Sequence, residues 1–152
     1  HSTGADDFED TKAALALSAE EAERYRVQPY IDDMGDMLAA ADLVLSRSGA
    51  SSVAEIAALS VPSILVPYPF ATADHQTTNA RFLVDAGAAV LVKDDELDDP
   101  SFEQTLVGLI EDPERRVRMR DAASGLGSEK APRAWPTSCF RCDAVARSRQ
   151  MR

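Results

Sequence analysis

Short apolar runs set between stretches of helical period constrain this chain more than any other feature. Ser63-Ile64-Leu65-Val66 is almost continuously apolar, the look of a strand buried on both faces. Leu43-Val44-Leu45 and Ala88 to Val92 read as further strands. Tyr25 to Ile31, with Val27, Tyr30 and Ile31 around Pro29, reads as a short strand running into a loop. Thr11 to Arg24, rich in Ala, Leu and Glu, predicts a mostly exposed helix. Asp32 and Asp33 offer an N-cap for a helix whose apolar face is Met34, Met37, Leu38 and Ala41. A helix from Ser52 carries Val53, Ile56, Ala57 and Leu59 and stops before Pro62, and another runs from His75 to Ala86 with Gly87 closing it. Asp99-Pro100 and Asp112-Pro113 each set an N-cap before a proline at the first helical position. Phe102, Leu106, Leu109 and Ile110 give the first of these two helices its buried face. Arg115, Arg116, Arg118 and Arg120 give the second a solvated one, with Gly125 and Gly127 at its end. Strands alternating with helices through short loops predict an α/β fold, a parallel sheet covered on both sides. Such sheets bind ligands beyond the carboxyl ends of their strands.

Three loops therefore matter: those after Val27 and Tyr30, after Leu45, and after Val66. The second is the most distinctive. Leu43 to Glu55 reads as strand, tight turn and helix start, and Ser48, Gly49, Ala50, Ser51 and Ser52 are all small enough to let a ligand reach the backbone. Glu55 stands three residues after Ser52, the spacing of a capping box. A helix start of this kind offers free N–H groups and the positive end of a dipole to phosphate. The same residues also suit a helix that is merely capped and binds nothing.

Composition excludes some partners. A net charge of −10 argues against nucleic acid, which needs a basic surface. No apolar run has the length of a membrane span and no secretory signal opens the sequence, which makes the cytoplasm the default expectation. Residues 128–152 carry six Lys and Arg against Glu129 and Asp143, a net of +4 that leaves −14 on the rest. Cys139 and Cys142 lie there with C-x-x-C spacing, but no second pair exists and the histidines are His1 and His75 alone, a poor basis for a zinc site. No acidic pair is arranged for a metal, and no cofactor is expected.

Several blocks together resemble a known family. Pro29-Tyr30-Ile31-Asp32-Asp33-Met34, Ala41-Asp42-Leu43-Val44-Leu45-Ser46-Arg47-Ser48-Gly49-Ala50, Glu55-Ile56-Ala57-Ala58 and Val66-Pro67-Tyr68-Pro69 are similar, in order and spacing, to the nucleotide-sugar half of the MurG family. So are Asp74-His75-Gln76, Asn79-Ala80 and Ala86-Gly87-Ala88-Ala89. The resemblance implies a Rossmann-like, doubly wound parallel sheet over residues 1–127, the C-terminal half of a GT-B glycosyltransferase. It implies UDP-N-acetylglucosamine as donor and an inverting transfer to lipid I that gives lipid II, at the cytoplasmic face of the bacterial membrane. The backbone at Ile31 is implied to contact uracil. Ser48, Gly49, Ala50, Ser51, Ser52, Val53 and Ala54 line the diphosphate and ribose region, and Glu55 accepts from the ribose hydroxyls. Gln76 is implied to contact the N-acetylglucosamine hydroxyls, with Asp74, His75 and Asn79 shaping that loop. Diphosphate wants N–H donors, a vicinal diol a carboxylate acceptor, and a sugar a side-chain amide, so the residue types agree.

Departures from the family pattern set further expectations. Acceptor binding, the base and membrane contact fall to an N-terminal half that this sequence does not include, and the first strand of the C-terminal half is not seen ahead of His1-Ser2-Thr3-Gly4. The chain alone is therefore expected to be inactive as a transferase. Residues 128–152 lack the family's closing amphipathic helix; one base lost near Trp135 would convert an Ala-Val-Ala-Asp-Glu-Leu-Leu frame into the Ala134-Trp135-Pro136-Thr137-Ser138-Cys139-Phe140 present. This tail is read as frameshifted or disordered. The alternatives are another GT-B transferase of UDP-sugars, or a nucleotide-binding or interaction module without chemistry.

Overall fold

A computed structural model describes residues 1–71 and 74–126. The tail's C-x-x-C pair, Gly127 and the frameshift site lie outside the described residues. The chain divides into two compact units, His1–Met37 and Leu38 onward.

In the first unit, α1 (Phe8–Leu15) and α2 (Ala19–Arg24) replace the single helix expected over Thr11 to Arg24. The break has a local cause. Ala16 takes a left-handed φ of 44°, and Ser18 opens α2 with a full capping box, its hydroxyl accepting from the Glu21 N–H while Glu21 accepts from the Ser18 N–H at 2.9 Å. The Ser18 hydroxyl, which donates to the Glu21 carboxylate at 2.7 Å, and then the Ser18 N–H hold that carboxyl below its usual range. The strand expected at Tyr25 to Ile31 does not form. Only a single parallel bridge joins Gln28 to Ser2, because Pro29 removes the next donor. The helix α3 (Met34–Ala40) follows as expected, but Met34 and Met37 are exposed and only Leu38 is buried.

The second unit holds the sheet. Strands β1 (Val44–Arg47), β2 (Ser63–Val66) and β3 (Ala89–Leu91) pair in parallel in the order β1-β2-β3, three strands among the described residues where four were expected. Val44 lies opposite Ser63, and Ser63 opposite Ala89. Helices α4 (Ala50–Ala58) and α5 (His75–Val84) are the crossovers, and α6 (Pro100–Glu111) and α7 (Pro113–Ser124) follow β3 after a 3-10 turn at Asp94–Glu96.

Strand alternation sends β2 side chains into two cores. Leu65 packs with Val53, Ala54 and Ile56 of α4 and with Ala80 and Leu83 of α5, while Ile64 and Val66 pack with Leu109 of α6 and Met119 of α7. Helices thus cover both faces of the sheet, as a doubly wound arrangement requires. Ile56, Ile64, Leu65, Leu83 and Leu109 are fully buried, each contributing about 1.5–3 kcal/mol by transfer from water. Ile110, expected in the buried face of α6, is 56% exposed instead.

Both crossover helices end alike. Ser60 (φ 54°) and Gly87 (φ 78°) are left-handed, and the next N–H closes back five residues, Val61 to Ile56 O at 3.0 Å and Ala88 to Leu83 O at 2.9 Å. The Asp-Pro starts are as expected: Asp99 accepts from the Ser101 N–H and Asp112 from the Arg115 N–H, each at 2.8 Å. Arg116 donates to the carbonyls of Leu109 and Ile110, satisfying the last turn of α6. No helix among the described residues is long and apolar enough to cross a membrane.

Candidate functional site

The carboxyl ends of β1, β2 and β3 lead into Ser48-Gly49, Pro67 to Ala71 and Val92 to Asp94. Polar and small residues gather on this edge.

The helix after β1 starts earlier than the capping-box spacing implied. Gly49 is the N-cap of α4 and has no side chain to cap with, so Ser51 and Ser52 fall inside the first turn and Glu55 in the second. The expected Ser52–Glu55 capping box does not exist. Gly49 has φ −61° and ψ 149°, open to any residue, and a Cβ there would meet nothing nearer than the Ser52 hydroxyl at 4.0 Å. Glycine at this point is thus not imposed by backbone strain or crowding. It keeps the helix start bare. Val53 N–H bonds to Gly49 O at 3.0 Å, but the amides of Ala50, Ser51 and Ser52 have no protein acceptor among the described residues. These are the orphan donors of a helix start, at the positive end of its dipole.

Glu55 shares a helix face with Ser51 and Ser52 by the three- and four-residue spacing. Its half-buried carboxylate has no ion pair or hydrogen bond among the described residues. Val53 and Ala54 are fully buried, so their side chains belong to the core and only their backbone lies along the turn. Ser48 is also fully buried, its hydroxyl without a partner, while its carbonyl accepts from the Asn79 amide at 3.2 Å. Asn79 thereby ties the β1–α4 turn to α5.

Gln76 is half-buried and not the solvated helix-start residue it could have been. Its Oε1 accepts from the Tyr68 N–H at 2.9 Å. Since a backbone N–H can only donate, the amide orientation is fixed and Nε2 is left with its hydrogens toward other partners. Asp74 takes a left-handed φ of 54° and does not cap α5, and Asp74 and His75 are both exposed. Ile31 lies in the first unit and is half-buried.

Three residues of this edge escaped sequence reasoning: Arg47, Tyr68 and Asp94. Arg47, at the end of β1, pairs with Asp94 beyond β3 and lies over the Tyr68 ring beyond β2, contacts between distant segments that no local spacing encodes. Among the described residues no group of three or more His, Cys, Asp or Glu is placed to hold a metal ion.

A parallel sheet covered by helices, with a bare helix start and unengaged polar groups at its carboxyl edge, is the architecture of nucleotide-binding α/β domains. Residues 1–134 match the glycosyltransferase family 28 C-terminal domain, and the chain belongs to that family. It is 42% identical over 142 residues to a protein of Acidithiobacillus ferrooxidans named UDP-N-acetylglucosamine–N-acetylmuramyl-(pentapeptide) pyrophosphoryl-undecaprenol N-acetylglucosamine transferase, covering 93% of this chain and 39% of that one. A protein of the same name from Nitratidesulfovibrio vulgaris is 46% identical over 134 residues, 88% of this chain and 36% of that one. The crystal structure of Acinetobacter baumannii MurG superposes with a TM-score of 0.72 at 29% identity, over 97% of this chain and 40% of the other. The chain thus spans well under half the length of these relatives. The α/β fold expected from the sequence agrees with that of this structural relative.

Proposed function

We propose that this domain binds UDP-N-acetylglucosamine and serves as the donor half of an inverting glycosyltransferase that converts lipid I to lipid II. The start of α4 carries the reading. Three unsatisfied amides behind Gly49 suit a diphosphate, and they also suit the charge that grows on departing UDP as the acceptor hydroxyl attacks the anomeric carbon from the opposite side. The bond to UDP breaks as the new glycosidic bond forms, giving a β-linked product. The Glu55 carboxylate suits the ribose diol, and the Gln76 Nε2, with its oxygen already engaged, suits a sugar hydroxyl oxygen. No metal is needed where a helix start neutralises the leaving group. The relatives' names supply the substrate class, and their greater length supplies room for the acceptor site and for contact with the cytoplasmic face of the membrane.

Calorimetric titration of this chain with UDP-N-acetylglucosamine, beside a Glu55→Ala variant, tests the proposal. Binding is expected, and loss of the acceptor weakens it by about 1–3 kcal/mol. No binding by a cooperatively folded sample, or equal affinity in the variant, overturns it. Tighter binding of UDP-glucose would redirect the reading to another sugar.

A further inference from the structure

Arg47 stands where segments following all three strands come together. Its guanidinium is ion-paired with Asp94 after β3, donates to the Pro67 carbonyl after β2 at 3.5 Å, and lies 5.6 Å from the centre of the Tyr68 ring. Tyr68 in turn gives its N–H to Gln76 Oε1 at 2.9 Å. Asp94, Arg47, the Pro67-Tyr68 segment and Gln76 are therefore linked contact by contact. The pair is about half exposed, with side-chain accessibilities of 48% and 34%, and exposed ion pairs add little to the stability of a fold. What the guanidinium does add is geometry. It is planar, so it can lie on an aromatic face while its edge reaches a carboxylate and a carbonyl, which a lysine ammonium cannot do together.

We propose that Arg47, held by Asp94, is a positioning residue that sets the Pro67-Tyr68 segment and, through it, the Gln76 amide, so that the pair governs affinity for the sugar of the nucleotide sugar and not for the nucleotide. This rests on the donor-site reading above, in which the α4 start and Glu55 take the diphosphate and ribose while Gln76 takes the sugar. The two groups of contacts sit on different helices, α4 and α5, and the Arg47 contacts reach only the second, through Tyr68. Removing Asp94 frees Arg47 to swing off Tyr68; the Tyr68 N–H then no longer fixes Gln76 Oε1, and the Nε2 donor loses its direction. None of these contacts involves Gly49, Ala50, Ser51 or Ser52 at the start of α4.

The test is titration of the wild-type chain and of Asp94→Asn, Arg47→Lys and Asp94→Glu with UDP-N-acetylglucosamine and, separately, with UDP, each variant checked for folding by its melting curve. Asp94→Asn and Arg47→Lys are expected to weaken UDP-N-acetylglucosamine about fivefold to tenfold, the effect of one poorly formed hydrogen bond, and to leave UDP unchanged. Asp94→Glu, which keeps the charge, should restore most of the difference. Without any ligand, the Gln76 side-chain amide resonances should move in Asp94→Asn. Equal effects on UDP and on UDP-N-acetylglucosamine, or unmoved Gln76 resonances, overturn the brace while leaving the donor-site reading intact. A folded wild-type chain that binds neither compound overturns both.

Discussion

Helix α4 and the pair α6 and α7 open in opposite ways. Asp99 and Asp112 place a carboxylate over the first N–H groups of their helices and follow it with proline, so the orphan donors of those starts are partly satisfied or absent. Gly49 does neither, although its backbone angles would accept a capping residue. At α2, α6 and α7 a side chain caps the helix start. Where the start faces the carboxyl edge of the sheet, the cap is withheld and the donors stay free. Asp74 before α5 is a partial case: the residue type can cap, but its left-handed backbone carries the side chain away from the task.

Capping α4 is the strongest way to break this contrast. Gly49→Asp should stabilise the fold or leave it unchanged, since space exists for the side chain. It should also weaken UDP-N-acetylglucosamine binding by about 100-fold or more, through occupied donors and a charge facing the diphosphate. Retained binding in titration would show that the α4 start is not the anion site. The reverse change, Asp112→Ala, should cost about 1 kcal/mol in chemical denaturation and leave ligand affinity as it was. At the other end of α4, Ser60 holds a conformation that Gly87 adopts without penalty at the end of α5. Ser60→Gly should therefore raise stability by about 0.5 kcal/mol, read from the same denaturation midpoint.

The smallest effect is electrostatic. The bonds from Ser101 hold the Asp99 carboxyl below its ordinary range. A carboxyl acidified by folding stabilises the native state above the unfolded-state value, and that contribution fades as pH falls through the folded-state value. The melting-temperature gap between wild type and Asp99→Asn should thus be full at neutral pH and close in strong acid. A gap that widens on acidification would contradict the cap.

Much of this was legible in the sequence, and unevenly. Ser63 to Val66 and the Asp-Pro starts were readable because one short segment contains the whole signal. The strand proposed at Tyr25 to Ile31 was not, since strand formation needs a partner and only Gln28 finds one. The break at Ala16 carried a readable cue, Ser18 followed by Glu21, masked by the helical composition on either side. Placing the α4 start at Ser52 gave too much weight to side-chain capping; β1 running on to Arg47 leaves room only for Ser48 and Gly49 before the helix begins. Of the candidate site, Gln76 could be named from its motif, but its bond to Tyr68, and the Arg47–Asp94 pair, depend on where three loops end in space.

The paired left-handed turns at Ser60 and Gly87 have a consequence for register. Because β2 is apolar toward both cores, sliding it by one residue against β1 or β3 would exchange Leu65 for Ile64 or Val66 and bury no charge. Polarity, which fixes register in half-exposed strands, discriminates poorly here. The alignment must be set upstream, by the turns that fix how far each helix stands from the strand it feeds. An inserted residue between Ser60 and Ser63 would then leave a sheet that still forms, with the loop after β2, and Tyr68 and Gln76 with it, carried one step out of phase.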